Sequence, residues 1–578
     1  MKLSVCAQKG WIFGCGGALF VIGVLLGGCW YLIFSKILAT QLGLTPHSTS
    51  YDMWKETPVP MYMEFYLFNW TNADIFANAS SNLTDIKPTF VEMGPYVFSE
   101  HHVRVNMSWN SNDTVTFMQK RTWKFIPERS NGILTDEVTT INTIAAAVRY
   151  ISHNYNSFLV TLATNGLLRN YGSVSVTKTA GELLLDGYDD PLLDHLIQII
   201  DTLGPSLNLT FDIPFDKFGW FSERNDSASY DGLFNMYTGT DDLSKLGMMH
   251  SWNYEHQSHY YKESCGLVRG TTGEICAPVK GTTTLDLFSS DICGSLTLKK
   301  VGELEVMGIT GSKFEADASI LDNGTLYPSQ ACYTTGESVY SGVMNISTCK
   351  WGAPAFISYP HFYLADSSYL DAVEGLSPSS KDHSFYFVVE PEMGVPLQVR
   401  ARMQINILVD PYTSSNIPLF KNLPNRVFLP AMWFTQSVDI DEKLSSTVKT
   451  ALIAKTAGWG VLFSLAAMGL VLLIIGLIIT LRHGWVQNMV RTSVLVINPS
   501  TPNPPCREPI GLVLTGLSVC NCPDFHPPST RLFTLRGTTP GGQIRIEKVS
   551  LIGIHHVSTL YCASLHCLYW KRVQEEER

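Results

Sequence analysis

Three histidines, His250, His256 and His259, fall within ten residues in "MHSWNYEHQSHYY" (249–261). Clustered imidazoles are raw material for a metal site, but these steps match no standard zinc arrangement. They read as polar members of an aromatic loop, and no metal is assigned. "CNCPDFH" (520–526) and "CASLHC" (562–567) offer thiols as well, yet no second cysteine pair stands at ligand spacing. A nucleophile elbow, a zincin helix, a phosphate loop and a dinucleotide fingerprint are all missing. The expectation is a protein that is not an enzyme and holds no cofactor.

The chemistry that these residues do support is secretory modification. Acceptor triplets for N-glycans occur at Asn69, Asn78, Asn82, Asn106, Asn112, Asn208, Asn225, Asn323 and Asn345, whereas Asn498-Pro499-Ser500 is disqualified by its proline. The Asn345-Ile346-Ser347 triplet stands two residues before Cys349. Glycans and disulfides both require an oxidising secretory compartment. Cys265, Cys276, Cys293, Cys332 and Cys349 share the segment that carries the triplets. Five is odd, so at most two bridges form there, and spacing leaves their pairing open.

Two elements must hold that segment outside the cytosol. Residues 10–35 and 456–481 are each 26 residues without a charge. About 20 helical residues cross a hydrocarbon core of roughly 30 Å, so both can span. Trp11, Trp30, Tyr31 and Trp459 lie near the ends, at the depth amphipathic rings prefer. The first run exceeds a cleavable signal core and reads as an uncleaved anchor. Lys2 and Lys9 precede it, and Arg482 and Arg491 follow the second span. Positive charge marks the cytosolic side, so residues 1–9 and 482–578 are cytoplasmic tails and 36–455 an extracellular or luminal domain. All nine triplets fall inside that domain. It carries 29 lysines and arginines against 45 acids, which disfavours nucleic acid as a partner.

Within the domain, "PMYMEFYLFNW" is apolar on both faces, as in a buried strand, and "TVTFMQKRTWKF" puts Val115, Phe117, Gln119, Arg121, Trp123 and Phe125 on one face. Residues 135–203 change period. Ile141, Ile144, Ala145, Val148 and Ile151 recur at helical spacing, "FLVTLATNGLLRNYG" continues as a second helix, and Thr179-Ala180-Gly181-Glu182 has capping-box form. The fold class expected is an α+β membrane protein, a β-rich body with a helical cluster inserted. The tail is rich in proline and glycine and reads as loosely ordered. Three histidines make a third span over 550–570 expensive.

"SSDIC" (289–293), "SGVMNISTCKWGAP" (341–354), "ISYPHFYLAD" (357–366), "VEMGPYVF" (91–98) and "RMQINILV" (402–409) resemble landmarks of the class B scavenger receptor family. The resemblance covers roughly residues 5–485. It implies a β-rich ectodomain under a helical cap, pierced by an apolar tunnel through which lipids pass, and bridges Cys265–Cys332 and Cys293–Cys349. Cys276 is then left over as a buried thiol. The family's basic ligand contact falls on Arg169, with Arg149 and Lys178 as the cap's other bases. Cys6, beside the membrane, resembles a palmitoylation site.

The function expected is a plasma-membrane scavenger receptor that binds and transfers fatty acids, other lipids or lipoprotein particles and enters by endocytosis. The alternative is a cargo-sorting receptor of endosomes or lysosomes that binds a luminal protein at the cap. "EKVSLI" (547–552) comes close to an acidic dileucine sorting signal. Gly23 and Gly27 have small-x-x-x-small spacing, which permits close approach either between the two spans or between two copies in a homo-oligomer.

Overall fold

A computed structural model describes residues 5–78, 86–154, 157–207, 213–411, 419–423 and 425–495. The tail beyond 495, with its cysteine motifs and "EKVSLI", lies outside the described residues, as do Asn82 and Asn208. So does the side chain of Cys6, within the first turn of the N-terminal helix.

The body is built on one antiparallel sheet of 13 strands. From edge to edge it runs through Met249–Trp252, Leu233–Tyr237, Thr114–Phe125, Phe90–Trp109, Met61–Trp70, Val427–Asp439, Pro396–Val409, Tyr386–Val389, Ile309–Glu315, Gly294–Val306 and Thr284–Ser289. Two short strands, Met344–Asn345 and Ala355–Ser358, branch from Pro396–Val409. Met61–Trp70 lies near the middle because it has apolar residues for both faces. It pairs on one side with Phe90–Trp109 and on the other with Val427–Asp439. Met63, Phe65 and Leu67 turn to one cluster and Phe68 and Trp70 to another, larger one. In Thr114–Phe125 the face read from the sequence is buried at Val115, Phe117, Gln119 and Trp123.

Three helices form the cap: Thr143–Asn154, Phe158–Tyr171 and Pro191–Leu207. Asn142 starts the first by accepting the Ala145 N–H through Oδ1 at 2.9 Å. Asp190 starts the third by accepting Leu192 N–H at 2.8 Å, with Pro191 in the first turn where its missing donor costs nothing. The Thr179–Glu182 capping box is present in both directions: Thr179 N–H donates to Glu182 Oε2 at 2.8 Å, and Glu182 N–H to Thr179 Oγ1 at 3.3 Å. The helix it opens is a single π-type turn, Glu182–Asp186, which Gly187 ends at φ +69°. Ile141 departs from the helical reading. It closes the strand Glu137–Ile141, which pairs with Ser175–Thr179 as a ribbon at the base of the cap.

The terminal helices are longer than the apolar runs: Val5–Leu42 and Glu442–Leu495. Leu38, Leu42, Leu444, Val448 and Leu452 continue past the apolar runs to join a cluster with Ile309, Val388 and Leu397 of the sheet. These two apolar helices make the chain a two-span membrane protein. A Cβ on Gly23 would lie 2.6 Å from the Ala466 backbone nitrogen, and one on Gly27 3.3 Å from the Phe463 ring. Trp30 Nε1 donates to the Lys455 carbonyl at 3.0 Å. The small residues therefore face the other span of the same chain.

Candidate functional site

A cavity of about 670 Å³ opens beneath the cap. Its roof is the inner side of the three helices, with Ile144 and Val148 from the first, Val160 and Ala163 from the second, and Leu193 and Leu196 from the third. Its floor is the sheet: Ile357, Met403, Ile405, Ile407 and Phe434. Helical periodicity explains the roof, because residues that recur every three or four positions must bury one face. Here that face packs into the main core, and its edge also borders the cavity. The volume lies in the range of small-molecule sites, and the lining is predominantly apolar. Among the described residues, neither terminal helix contributes to its wall, so this open volume stops short of the membrane spans.

One end of the cavity is charged. Arg224 Nη2 lies 2.7 Å from Asp231 Oδ1, and Arg224 Nη1 donates to Asp291. Arg121 Nε stands 3.0 Å from the other oxygen of Asp231. Burial pushes the Asp291 carboxyl up, but Arg224, Arg121 and Lys350 outweigh it and hold it well below the usual carboxylate range. Lys350 also lines this end. Burial holds its amine below the usual lysine range, and Asp291 offsets only part of that. Sequence reading missed this cluster because its members come from positions 121, 224, 231, 291 and 350, which no local spacing joins.

The outer side of the second cap helix is apolar as well. Phe158 is 79% exposed, and Leu159, Leu162 and Tyr171 are also open to solvent. Val160, Thr164, Leu167 and Leu168 occupy the buried face. Gly166 has nothing near a would-be Cβ, and Arg169 is exposed in the last turn. The sequence showed the apolar surplus in "FLVTL", since Phe158 and Leu159 directly precede the inward Val160, but its exposure needs the tertiary structure. Exposed apolar surface of this kind marks interaction sites.

The three bases singled out in the cap do not form one patch. Arg169 alone stands on the outer helix face. Arg149, read as a ligand-binding base of the cap, is only 3% exposed and sits on the inward side of the first cap helix. Lys178 belongs to the ribbon strand Ser175–Thr179, with its Nζ 4.6 Å above the Tyr188 ring.

The structure bonds Cys265 to Cys332 and Cys293 to Cys349, closing separations of 67 and 56 residues. Cys276 is buried and free, and burial pushes its thiol up to about 12. Among the acceptor asparagines, Asn78, Asn106, Asn112 and Asn225 are exposed, and Asn69 and Asn323 are partly buried. Asn345, read as a glycan acceptor from its triplet, stands apart from the others. It is 1% exposed, its Nδ2 donates to the Thr334 carbonyl at 3.2 Å, and its Oδ1 accepts Ser347 N–H at 2.8 Å. His250 and His256 meet edge to face at 4.5 Å, while His259 lies over Tyr260.

A family model described as the CD36 family matches residues 14–480. Protein peste of Drosophila melanogaster is 35% identical over 470 residues, which cover 81% of this chain and 81% of the relative. Scavenger receptor class B member 1 of Bos taurus is 31% identical over 472 residues, covering 81% and 88%. Lysosome membrane protein 2 of Homo sapiens is 28% identical over 410 residues, covering 70% and 80%.

Proposed function

The chain belongs to the CD36 family, and from that premise we propose that it is a scavenger receptor that captures amphipathic lipids on its cap and passes them inward. The observation that carries this reading is the pairing of an exposed apolar helix face with an apolar cavity of about 670 Å³ on the other side of the same helices. An acyl chain that leaves water gains about 0.8 kcal/mol per methylene. A particle or free lipid held at Phe158, Leu159 and Leu162 is therefore drawn toward a second dry compartment a helix's thickness away. Arg169, exposed beside that face, supplies attraction for an anionic head. Delivery onward requires the floor strands to yield a path toward the membrane, along the tunnel that the family resemblance implies. In this reading residues 36–455 face the extracellular space or a lumen and both tails are cytoplasmic. The plasma membrane is the working location, and binding rather than catalysis is the activity.

Cells with the full chain, with Leu159→Asp/Leu162→Asp, and with no receptor test the reading by uptake of a fluorescent fatty acid and a labelled luminal protein side by side. The expected result is import of the lipid that rises with the receptor and falls several-fold in the double variant at equal surface amounts. Lipid import that ignores the receptor would overturn it, and protein uptake that alone depends on the helix face would establish a cargo receptor instead.

A further inference from the structure

Two histidines that the binding reading leaves unused lie stacked within the segment 359–384. The rings of His361 and His383 are 5° from parallel with centroids 4.4 Å apart, and both residues are buried. Ser377 N–H donates to His361 Nδ1 at 3.1 Å, and Ser379 N–H donates to His383 Nδ1 at 2.9 Å. A backbone N–H can only donate, so each Nδ1 is a bare acceptor and each ring is neutral, with its hydrogen on Nε2. His361 donates that hydrogen to Glu92 Oε2 at 2.6 Å, which also accepts from Trp433 Nε1 at 2.6 Å. Two imidazoles beside a carboxylate would suit a metal, but a ring that accepts at Nδ1 has no lone pair to offer at Nε2.

The charged neighbours come from several elements. Glu92 belongs to Phe90–Trp109, Arg402 to Pro396–Val409 and Asp382 to the short helix Ser380–His383 itself. From Met61–Trp70 come Tyr66, stacked on Trp433, and Glu64, which accepts from the Tyr66 hydroxyl. Burial, with the His361 ring and Arg402, holds the His383 imidazole down at about 4, and Glu92 and Asp382 offset only part of that. Burial pushes the Glu92 carboxyl up, but His361 and Trp433 outweigh it and hold it below the usual range. The segment also has a fixed seat. Gln404 Oε1 accepts His361 N–H at 2.6 Å, and Arg402 Nη1 donates to the Ser384 carbonyl at 2.9 Å. Gln404 pairs with Trp433 and Met403 with Phe434. Because side chains alternate along a strand, Met403, Ile405 and Phe434 point the other way and floor the cavity.

We propose that His361 and His383 form an acid-released clasp, which holds residues 377–384 against the back of the cavity floor at neutral pH and frees them in an acidic lumen. A proton added to either ring arrives at Nδ1, where it faces a backbone N–H. Donor then meets donor, and the hydrogen bond that fixes the turn is lost. Two charged rings at this spacing would also repel. A free imidazole titrates near 6.5, above the value in the fold. The clasp is therefore at full strength above about pH 6.5 and weakens as the pH falls from there toward 4. Histidine switches of acidified compartments work in that window. The inference rests on the proposed topology, in which residues 36–455 meet such a lumen after uptake, and does not require that the cavity hold lipid.

Hydrogen–deuterium exchange of the full-length protein in lipid nanodiscs tests the clasp, from about pH 7.4 to about pH 5, with rates corrected for intrinsic exchange. The amide hydrogens of Ser377 and Ser379 are the ones the rings hold, so peptides over 377–384 report it directly. In the unaltered chain their protection is expected to fall about tenfold toward pH 5 while that of Met61–Trp70 holds. In His361→Asn/His383→Asn the side-chain oxygens can accept the same N–H groups and take no proton, so the acid response should vanish. Constant protection in the unaltered chain would overturn the clasp. So would an acid response that persists in the double variant. Where the asparagines loosen the turn at neutral pH as well, Asp382→Asn decides: an acid response it leaves intact supports the histidines, and one it abolishes overturns them.

Discussion

An N-glycan is joined through the asparagine side-chain amide, so the folded protein must leave that nitrogen facing water. Asn106, Asn112 and Asn225 are exposed residues, and Asn345 is not, since its amide spans Thr334 and Ser347 inside the body. Glycopeptide mapping of the protein from a secretory host is expected to find Asn106, Asn112 and Asn225 occupied and the Asn345 peptide bare. An occupied Asn345 would mean that the segment 343–349 folds otherwise. Asn345→Ala should cost stability rather than remove a sugar. It strips two buried hydrogen-bond partners, worth roughly 1–3 kcal/mol, and the melting temperature would report it. At this scale the sequence is a poor guide to exposure. The triplet Asn345-Ile346-Ser347 reads the same as Asn225-Asp226-Ser227, and only the short strand Met344–Asn345 against Ala355–Ser358 separates them. Arg149 teaches the same lesson, a charge on a helix that happens to face inward.

Elements were more legible, because they rest on periodicities that the chain carries locally. The capping box at Thr179–Glu182 and the end of the second cap helix at Gly172 could be read directly. The ribbon of Glu137–Ile141 with Ser175–Thr179 could not, since its two strands lie on either side of two helices. The spans were plain from charge-free length, but their contact was not, as Gly23 offered two partners equally. In the fold it meets Ala466. Gly23→Leu should therefore force the two helices apart, overpacking that costs about 1–3 kcal/mol. Gly14→Leu, on the same helix with nothing near its Cβ position, should be nearly neutral. Thermal unfolding in a mild detergent checks the pair, and equal melting temperatures for the two variants would show that the spans do not rest on one another at Gly23.

At the scale of the whole molecule the decisive feature is an emptiness, and no residue type announces one. The roof residues Ile144, Val148 and Leu193 have the spacing of ordinary core, and only the distance between the helices and the strand floor turns them into cavity lining. The resemblance of "SGVMNISTCKWGAP" and its companions to a receptor family supplied the expectation of an interior path, and physical reading of spacing alone could not have done so. On the proposed reading, the emptiness also separates two steps that a single surface site would merge, capture outside the cap and passage beneath it. Ala147 and Ala163 are small, partly buried and on the cavity wall. Ala147→Phe and Ala163→Phe should fill space without altering the outer face at Phe158 and Leu162. Fluorescent lipid bound at the cell surface in the cold should then stay near that of the unaltered chain. Transfer into the cell on warming should fall several-fold, more in the double variant than in either single one. If both variants transfer lipid at the normal rate, the cavity is a by-product of how the cap rests on the sheet, and lipid travels over the body rather than through it.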